Sequence, residues 1–331
     1  MTESTMAALL SEYLAIRERV GISDLSGDGQ YLLSGEDKTS FLQNLISNDL
    51  YLAQGNRGIY TTLLTAKGRI IADFYLYPFT DAYLLTMESI IAEKTFQHLM
   101  RFRFRSKINI VNPQWRKILV AGPQARPLLQ RLFKDALPEM EECSIVSQQI
   151  DPVVCVRQSQ TGEEEYHLYC KKDGHEAIWA ELLSLGKPFG VETIGPSALE
   201  LLRMEAGIPR YGVDLTEEIL PIEARLEDRA ISYTKGCYPG QEVIARIKTY
   251  GHVNKRRMGL LFNGNDFPSA GEKVLRGDTQ VGWITAGAFS LFLKKGIATA
   301  YIRTVAATAG TQVDVGGDIA TITNLPFYCR R

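Results

Sequence analysis

The pattern of the chain changes near residue 251, and this change limits the folds that the sequence can adopt. Before it, strand-like runs alternate with segments of helical spacing. After it, short apolar runs are separated by the turn sequences NGND, RGDT, AGAFS, ATAG and VGGD, with little helical periodicity. We therefore predict an α+β region over residues 1–251 and a small all-β domain over residues 252–331.

The α+β region contains a hairpin signature in GIYTTLLTAKGRIIADFYLYPF, where two apolar runs meet at Ala66-Lys67-Gly68. A second hairpin is predicted for VVCVRQS and EEYHLYC, which are joined by a turn at Thr161-Gly162. Helical spacing predicts helices over residues 1–20, 36–47, 88–104 and 121–133, and another from residue 195 that is closed by Gly207 and Pro209. Further strands are expected in QYLLSG, KINIV and WRKILVAG.

Composition narrows the class of protein. The net charge is −1 and the isoelectric point about 6.5, which argues against a broad surface for nucleic-acid phosphates. The five cysteines include no C-x-x-C pair, so neither a disulfide framework nor a local zinc or iron–sulfur cradle is indicated. The sequence also shows no basic leader and no apolar run of about 18 residues. We expect a cytoplasmic protein that does not enter membranes.

One cysteine stands in an unusual setting, the stretch KGCYPGQEVIARI. Pro239 suits the first turn of a helix and Glu242 suits its positive end, which would place Cys237 just before that end. The cation of Lys235 would then favour the thiolate form of Cys237. The alternative is that Tyr238-Pro239-Gly240 is only a turn and that Cys237 is a small buried apolar residue.

A carboxylate occurs inside the second apolar run of the first hairpin. If RIIADFYLY is a strand, alternation places Asp73 on the same face as Tyr75 and Tyr77. Such a face combines a hydrogen-bond acceptor with aromatic rings. The alternative is that Asp73 is an ordinary solvated residue at a sheet edge.

Several stretches together resemble one family. The string KGCYPGQE is similar to the signature K-G-C-[FYW]-x-G-Q-E of the YgfZ family of folate-binding proteins, relatives of the glycine-cleavage T-protein, an aminomethyltransferase. The similarity extends over nearly the whole chain. It includes RVGISDLSGDGQYLLSGEDKTSFLQNLISNDL, YTTLLTAKGRIIADFYLY, LELLRMEAGIPRYGVDL, LPIEARLE and the closing LPFY.

The resemblance implies a fold and a function. The implied fold is a T-protein-like cloverleaf of two interleaved α+β domains plus a C-terminal β-barrel, with tetrahydrofolate or a derivative as cofactor. The implied function is that of an accessory protein for iron–sulfur enzymes, including a radical enzyme that modifies tRNA. Its partners would be iron–sulfur client or assembly proteins, with an indirect link to tRNA and no contact with DNA. An accessory function of this kind favours a protein that is not itself an enzyme.

Two other functions remain open. One is a folate-dependent one-carbon transferase like the T-protein itself. The other, with less support, is direct binding of tRNA through the basic run RFRFRSK, which contains Arg101, Arg103, Arg105 and Lys107. Most such runs are solvated faces, and this one and Lys255-Arg256-Arg257 could equally hold the anionic tail of a folate.

The resemblance also assigns residues. Cys237 and Lys235 would carry any chemistry, and the folate would be bound by Asp73, Tyr75, Arg203, Glu163, Tyr238 and Gln241. The chain departs from the T-protein pattern T-G-E-D-G-x-E, because His167 stands at its second glutamate. Glu163, Glu164 or Glu165 would replace that glutamate only if the register of the hairpin allows it. No metal site is expected, since His167 and Cys170 would lie on opposite faces of a strand.

Overall fold

A computed structural model describes residues 3–79, 81–134, 136–147 and 153–329 of the chain. The chain divides into two compact units. The first unit contains Met1–Gln43, Asp49–Tyr60 and Phe74–Leu202, and the second contains Asn44–Asn48, Thr61–Asp73 and Arg203–Arg331. The chain therefore passes back and forth between the units. The predicted limit between residues 251 and 252 falls inside the second unit, and as a domain boundary it stays a prediction.

Helices occur mainly in the first unit. The described α-helices are α1 (Glu3–Glu18), α2 (Lys38–Gln43), α3 (Ser89–Arg103), α4 (Ala125–Leu132), α5 (Lys172–Gly186), α6 (Pro196–Glu205), α7 (Glu227–Ala230) and α8 (Gln241–Tyr250). Short 3₁₀ helices occupy Leu50–Leu52 and Lys187–Phe189. The predicted helices are confirmed at α1, α3, α4 and α6, although residues 1 and 2 of the first prediction lie outside the described residues. The segment after Gly240, for which the sequence left helix and strand open, forms helix α8.

Two helices differ from the prediction. Helix α2 ends at Gln43, earlier than expected, because the following residues pair with a strand instead: Ser47 N–H donates to the Thr62 carbonyl at 2.9 Å. Helix α5 was not predicted. Its Ile178, Trp179 and Leu182 nevertheless recur at helical spacing and pack on the apolar core of the first unit.

The first unit contains a six-stranded sheet. Its strands are β1 (Val20–Asp24), β7 (Arg116–Ala121), β8 (Ile145–Ser147), β9 (Val154–Arg157), β10 (Glu165–Cys170) and β11 (Val191–Thr193), in the order β11-β1-β7-β10-β9-β8. Helices α4 and α5 cover one face, where Ile118, Tyr166 and Leu168 join the core. Alternate residues point to the opposite face. On β10 these alternate residues, Glu165, His167 and Tyr169, are polar, and β7 adds Lys117 to the same face. The antiparallel pair β9 and β10 confirms the second predicted hairpin.

A five-stranded sheet contains the first predicted hairpin. Its strands are β2 (Gly29–Ser34), β3 (Ile59–Leu64), β4 (Ile70–Phe79), β5 (Ala82–Met87) and β6 (Asn109–Val111), in the order β3-β4-β5-β2-β6. The turn between β3 and β4 is closed by Gly68 N–H, which donates to the Thr65 carbonyl at 2.9 Å. Gly68 has a φ of +72°, which explains why glycine ends this turn. The hairpin prediction is confirmed.

The C-terminal part of the second unit is a closed barrel, as the turn-rich sequence predicts. Its strands are β12 (Lys255–Phe262), β13 (Lys273–Arg276), β14 (Thr279–Ser290), β15 (Lys295–Arg303), β16 (Gln312–Val315) and β17 (Asp318–Thr323), in the order β12-β15-β14-β13-β16-β17. Alternate residues such as Met258, Leu260 and Phe262 fill its interior. The fold class of α+β structure with a C-terminal barrel is confirmed.

Candidate functional site

The segment around Cys237 forms an exposed loop that leads into α8. Cys237 is exposed, and the helix begins at Gln241 with Gly240 as its N-cap. Pro239 therefore lies before the helix and not in its first turn, which corrects the sequence-based expectation. Gly240 has a φ of +82°, and a Cβ built there would lie 2.6 Å from the Thr65 carbonyl oxygen. Only glycine fits, so the turn after β3 fixes the start of α8.

Lys235 is buried and makes contacts within the second unit. Its ammonium group donates to the carbonyls of Ile46 at 2.7 Å and Asn48 at 3.0 Å. It also lies 5.1 Å from the centre of the Tyr238 ring, a cation–π distance. The lysine thus anchors the segment that follows α2. Its predicted role as the cation beside the Cys237 thiol stays a prediction.

Tyr238 and Gln241 were predicted to contact folate. Tyr238 is buried, and burial raises the pKa of its phenol to about 12, so the hydroxyl keeps its proton at neutral pH. Gln241 Nε2 lies 3.4 Å from the Lys235 carbonyl oxygen and donates a long hydrogen bond to it. Both residues support the loop that carries Cys237. Their contact with a ligand stays a prediction.

Asp73 and Tyr75 both lie on β4, and Asp73 is half-buried. Tyr75 is buried, and its ring stacks on that of Tyr77 at 6.3 Å with an interplanar angle of 8°. The Tyr60 ring, on the neighbouring strand β3, lies 4.9 Å from the Tyr75 ring, measured between ring centres. The predicted alternation along β4 is therefore right for the tyrosines, which form an aromatic cluster in the first unit.

Arg203 lies in a buried ionic network of the second unit. Its Nη1 donates to Asp214 Oδ2 at 2.9 Å and also to the Ile208 carbonyl. Arg257 Nε donates to the other Asp214 oxygen at 2.9 Å, and Thr285 Oγ1 donates to the same oxygen at 2.8 Å. This geometry gives Arg203 a structural role. No sequence pattern would reveal this network, and contact of Arg203 with folate stays a prediction.

The three glutamates of the turn between β9 and β10 each have a separate partner in the first unit. Glu163 is buried and accepts a hydrogen bond from Arg17 Nη1 of α1 at 2.9 Å. Glu164 accepts from the Tyr166 hydroxyl at 2.7 Å. Glu165 Oε1 lies 2.7 Å from His167 Nε2, and both side chains are fully buried. Glu165 is thus the glutamate beside His167, a relation that strand alternation could have predicted.

Further polar groups lie on the same face of the six-stranded sheet as His167. The Lys117 ammonium donates a hydrogen bond to Asp28 Oδ2 at 2.7 Å. Tyr169 is the partner of Lys117 in the pairing of β7 with β10, and the ammonium lies 5.9 Å from the centre of its ring. Burial alone would lower the pKa of Lys117, but Asp28 outweighs burial and raises it. The face of β10 opposite the apolar core is therefore lined by buried polar and charged side chains, a feature that sequence analysis missed.

The basic run at the end of α3 is exposed. Arg101, Arg103 and Arg105 are all exposed, and Phe104 is 90 % exposed. The Arg105 guanidinium lies 5.7 Å from the centre of the Phe104 ring. Cations and an aromatic ring thus share one surface, which is consistent with either a solvated face or a site for an anionic partner.

The described residues contain no group of three or more histidine, cysteine, aspartate or glutamate side chains arranged to hold a metal ion. Cys170 belongs to the apolar core on one face of β10, whereas His167 points to the other face, as predicted. Within the described part of the chain, no helix combines the length and the apolar character that a membrane crossing requires.

Comparison with known proteins places the chain in a family. The family model described as the GCVT N-terminal domain matches residues 2–235, and the model described as the glycine cleavage T-protein C-terminal barrel domain matches residues 255–328. An aminomethyltransferase of Caldanaerobacter subterraneus subsp. tengcongensis is 30% identical over 314 residues, covering 93% of this chain and 83% of that protein. An aminomethyltransferase of Geobacillus sp. strain WCH70 is 30% identical over 334 residues, covering 98% and 91%.

The fold comparison agrees with the sequence comparison. The crystal structure of glycine cleavage system aminomethyltransferase T from Bartonella henselae matches with a TM-score of 0.89 and 24% identity, over 97% of this chain and 89% of that one. The T-protein-like fold class is therefore confirmed. Since the family's N-terminal model covers most of the chain and its barrel model covers the remainder from β12 onward, the chain belongs to the glycine cleavage T-protein family.

Proposed function

We propose that this protein binds tetrahydrofolate and catalyses the transfer of a one-carbon unit, as an enzyme of the aminomethyltransferase type. The observation that carries this proposal is the match to two aminomethyltransferases, over 93% and 98% of the chain. The match includes both the N-terminal domain and the C-terminal barrel domain of the family. Aminomethyltransferases use tetrahydrofolate as a substrate. The comparisons thus favour the transferase over the accessory function that the sequence alone favoured, and they do not support leaning against an enzyme.

The first unit contains groups that fit a folate. A pterin ring offers several N–H donors along one edge and a flat face for stacking. His167 Nδ1 and Gln30 Oε1 are buried acceptors without a hydrogen-bond partner among the described residues. The tyrosine cluster on β3 and β4 supplies aromatic surface. When bound, the folate would accept the one-carbon unit.

Asp73 is the residue that we assign to the reacting part of the folate. A half-buried carboxylate accepts hydrogen bonds from N–H groups strongly, because its charge assists the bond. It would orient the pterin and hold a proton that moves during transfer. This proposal keeps the predicted folate contacts of Tyr75, Arg203 and Glu163. Glu163 would make its contact while it stays paired with Arg17.

The test is an assay of tetrahydrofolate-dependent methylene transfer from an aminomethyl-lipoyl donor. Wild type is expected to turn over, and Asp73→Asn is expected to lose most of the rate, at least tenfold. Asp81→Asn, which changes an exposed aspartate, is the matched control. A wild type that binds tetrahydrofolate but shows no turnover would contradict the transferase and leave a binding protein.

A second candidate is the accessory function for iron–sulfur enzymes that the YgfZ resemblance implies. The specific observation in its favour is the exposed Cys237 inside KGCYPGQE, held at a fixed point by Gly240. Its thiol would act on iron–sulfur client proteins in the cytoplasm, and any effect on tRNA would be indirect. In a strain lacking the gene, Cys237→Ser should fail to restore iron–sulfur enzyme activity, whereas Cys329→Ser, which alters another exposed cysteine, should restore it.

Direct binding of tRNA is a third candidate, favoured by the exposed arginines and Phe104 at the end of α3. Arginines that contact phosphates make affinity fall steeply with salt. If tRNA binds here, its affinity should decrease as salt rises, and Arg103→Ala combined with Arg105→Ala should remove it. Binding that survives both substitutions would reject this surface.

A further inference from the structure

The last turn of α3 and the residues that follow it project into solvent. We call residues 101–105, with the sequence RFRFR, the α3 tip. Helix α3 ends at Arg103, and the chain then turns, since Ser106 N–H donates to the Arg103 carbonyl at 2.7 Å. All five residues of the tip are exposed. The tip therefore protrudes from the first unit and presents its side chains outward.

Two phenylalanines of the tip face water. Phe104 is 90% exposed and Phe102 is 45% exposed. The Phe102 ring packs on the His98 ring, with 5.0 Å between the ring centres and an interplanar angle of 47°. A phenylalanine ring in water forgoes the favourable transfer of its apolar surface into an apolar medium. Since the protein covers so little of Phe104, a partner must supply the apolar surroundings of that ring.

The backbone of Phe104 is held in an unfavourable conformation. Its φ is +35° and its ψ is −97°, outside the regions that residues with a Cβ prefer. Glycine adopts a positive φ without this strain, so the turn alone does not require phenylalanine. A strained backbone that carries an exposed aromatic ring points to a use of this side chain outside the fold.

The tip carries three exposed cations, those of Arg101, Arg103 and Arg105. Lys107 lies just beyond the tip, but its ammonium is already paired with Glu36 at 2.6 Å. The planar guanidinium group binds two oxygens of one phosphate through parallel hydrogen bonds. The tip therefore suits a partner that displays phosphates next to apolar material.

Phosphates and apolar material occur together at the surface of a phospholipid bilayer. A bilayer surrounds a protruding ring in any orientation, whereas a protein partner needs a pocket of matching shape. RNA also displays phosphates, and its bases stack on aromatic rings. A base that stacks on Phe104 would compete with Arg105, whose guanidinium lies 5.7 Å from the centre of that ring. Lipid is the partner that uses both the cations and the rings of the tip.

We infer that the α3 tip docks on the surface of an anionic phospholipid bilayer. The arginines bind lipid phosphates, and the Phe102 and Phe104 rings enter the boundary between headgroups and acyl chains. The binding is peripheral, because only side chains of the tip enter the lipid. This inference goes beyond the proposed function and does not depend on the binding of folate.

Flotation with lipid vesicles tests the inference. The full-length protein is mixed with vesicles of phosphatidylglycerol and phosphatidylcholine in equal parts, or with vesicles of phosphatidylcholine alone. We expect binding to the anionic vesicles that decreases as salt rises, and little binding to the neutral ones. Absence of binding to the anionic vesicles, or equal binding to both kinds, would overturn the inference.

Variants locate the surface that binds. Phe104→Gly should weaken binding to the anionic vesicles about tenfold, and Arg103→Ala combined with Arg105→Ala should weaken it about twentyfold. Phe267→Ala and Arg276→Ala change exposed residues of the same types in the second unit and should bind like the wild type. Unchanged binding by the tip variants would place the contact elsewhere and overturn the inference.

Urea unfolding separates a role in membrane binding from a role in the fold. Because glycine relieves the strain of the positive φ, Phe104→Gly should unfold at the same urea concentration as the wild type or at a higher one. The variant is thus expected to lose vesicle binding without losing stability. A clear loss of stability would assign the ring to the fold and overturn the inference.

Fluorescence supplies a direct readout of insertion, and tRNA is the competing partner for this surface. The chain has three tryptophans, so the emission of Phe104→Trp is measured as the difference from the wild type. Anionic vesicles should shift the added emission to shorter wavelength, because the indole leaves water. An unchanged spectrum would overturn the inference. A tip that binds tRNA but no vesicles would also overturn it and would support the third candidate.

Discussion

Arg257 Nε donates to Asp214 Oδ1 at 2.9 Å, and both side chains are buried in the second unit. Arg203 reaches the other oxygen of the same carboxylate at 2.9 Å, and the Tyr301 hydroxyl donates to the Asp214 carbonyl at 2.9 Å. Asp214 thus joins barrel strands to the segment that follows α6. Removing Asp214 would leave two buried cations without their anion, and removing either arginine would leave a buried carboxylate oxygen without its charged donor.

Arg257→Met should lower the free energy of unfolding by about 3–5 kcal/mol, because Asp214 loses one of its two cations. Urea unfolding followed by fluorescence measures this loss. Arg256→Met changes the exposed neighbour on the same strand and should cost little. The combination of Arg257→Met with Asp214→Asn should lose less than the sum of the single changes. Equal losses for Arg256→Met and Arg257→Met would contradict this account.

Acid should weaken the protein through Asp214. Burial alone would raise the pKa of this carboxyl, but Arg257 and Arg203 outweigh burial and lower it from 3.8 to about 2. The resulting stability is present above about pH 4 and is lost as the pH falls through about 2, with a size on the order of 2 kcal/mol. Asp214→Asn should remove this pH dependence, whereas Asp278→Asn at an exposed turn should keep it. Unfolding curves at several acidic pH values decide between these outcomes.

The two glycines that flank α8 allow a matched comparison. Gly240 and Gly251 both have positive φ, +82° and +96°. A Cβ at Gly251 would meet nothing within 4 Å, whereas one at Gly240 would lie 2.6 Å from the Thr65 carbonyl oxygen. Gly251→Ala should therefore cost only the backbone strain, about 1 kcal/mol, and Gly240→Ala should cost clearly more. Thermal unfolding measures both, and equal losses would show that the turn near Thr65 does not fix α8.

The cysteines should differ in reactivity toward iodoacetamide. Cys237 and Cys329 are exposed and should be modified in the native protein. Cys155 and Cys170 are buried; burial raises the pKa of the Cys155 thiol well above its ordinary value and that of Cys170 to about 11. These two should react only after unfolding. Mass spectrometry of peptides over time checks this order, and early modification of Cys155 would contradict the described core.

Tetrahydrofolate should raise the melting temperature of the protein by binding the native state. At a concentration of 100 times the Kd the added stability is about 2.7 kcal/mol. Asp73→Asn should reduce the shift, because it removes a charge-assisted acceptor, and Asp81→Asn should leave it unchanged. Equal melting temperatures with and without saturating ligand would count against folate binding altogether.

Local patterns predicted much of the secondary structure. The hairpin of β3 and β4, helix α3 and the barrel strands follow from apolar spacing and turn residues, which act between near neighbours in the chain. Helix α2 was predicted too long because pairing of Ser47 with β3 competes with the helix. Pro239 was expected in the first turn of α8 but lies before it. The helix begins only after Gly240, which has a positive φ and packs against the backbone of Thr65. Both errors arise from contacts with residues distant in sequence.

The sequence by itself determined the resemblance to the T-protein family, the change from an α+β region to a barrel, and the two hairpins. Only the tertiary structure decided the partners of the buried charges. It joined Glu165 to His167, Lys117 to Asp28, and Asp214 to two arginines. The physical reason is that periodicity encodes which face of an element is buried, whereas the pairing of polar groups depends on which elements the fold brings together.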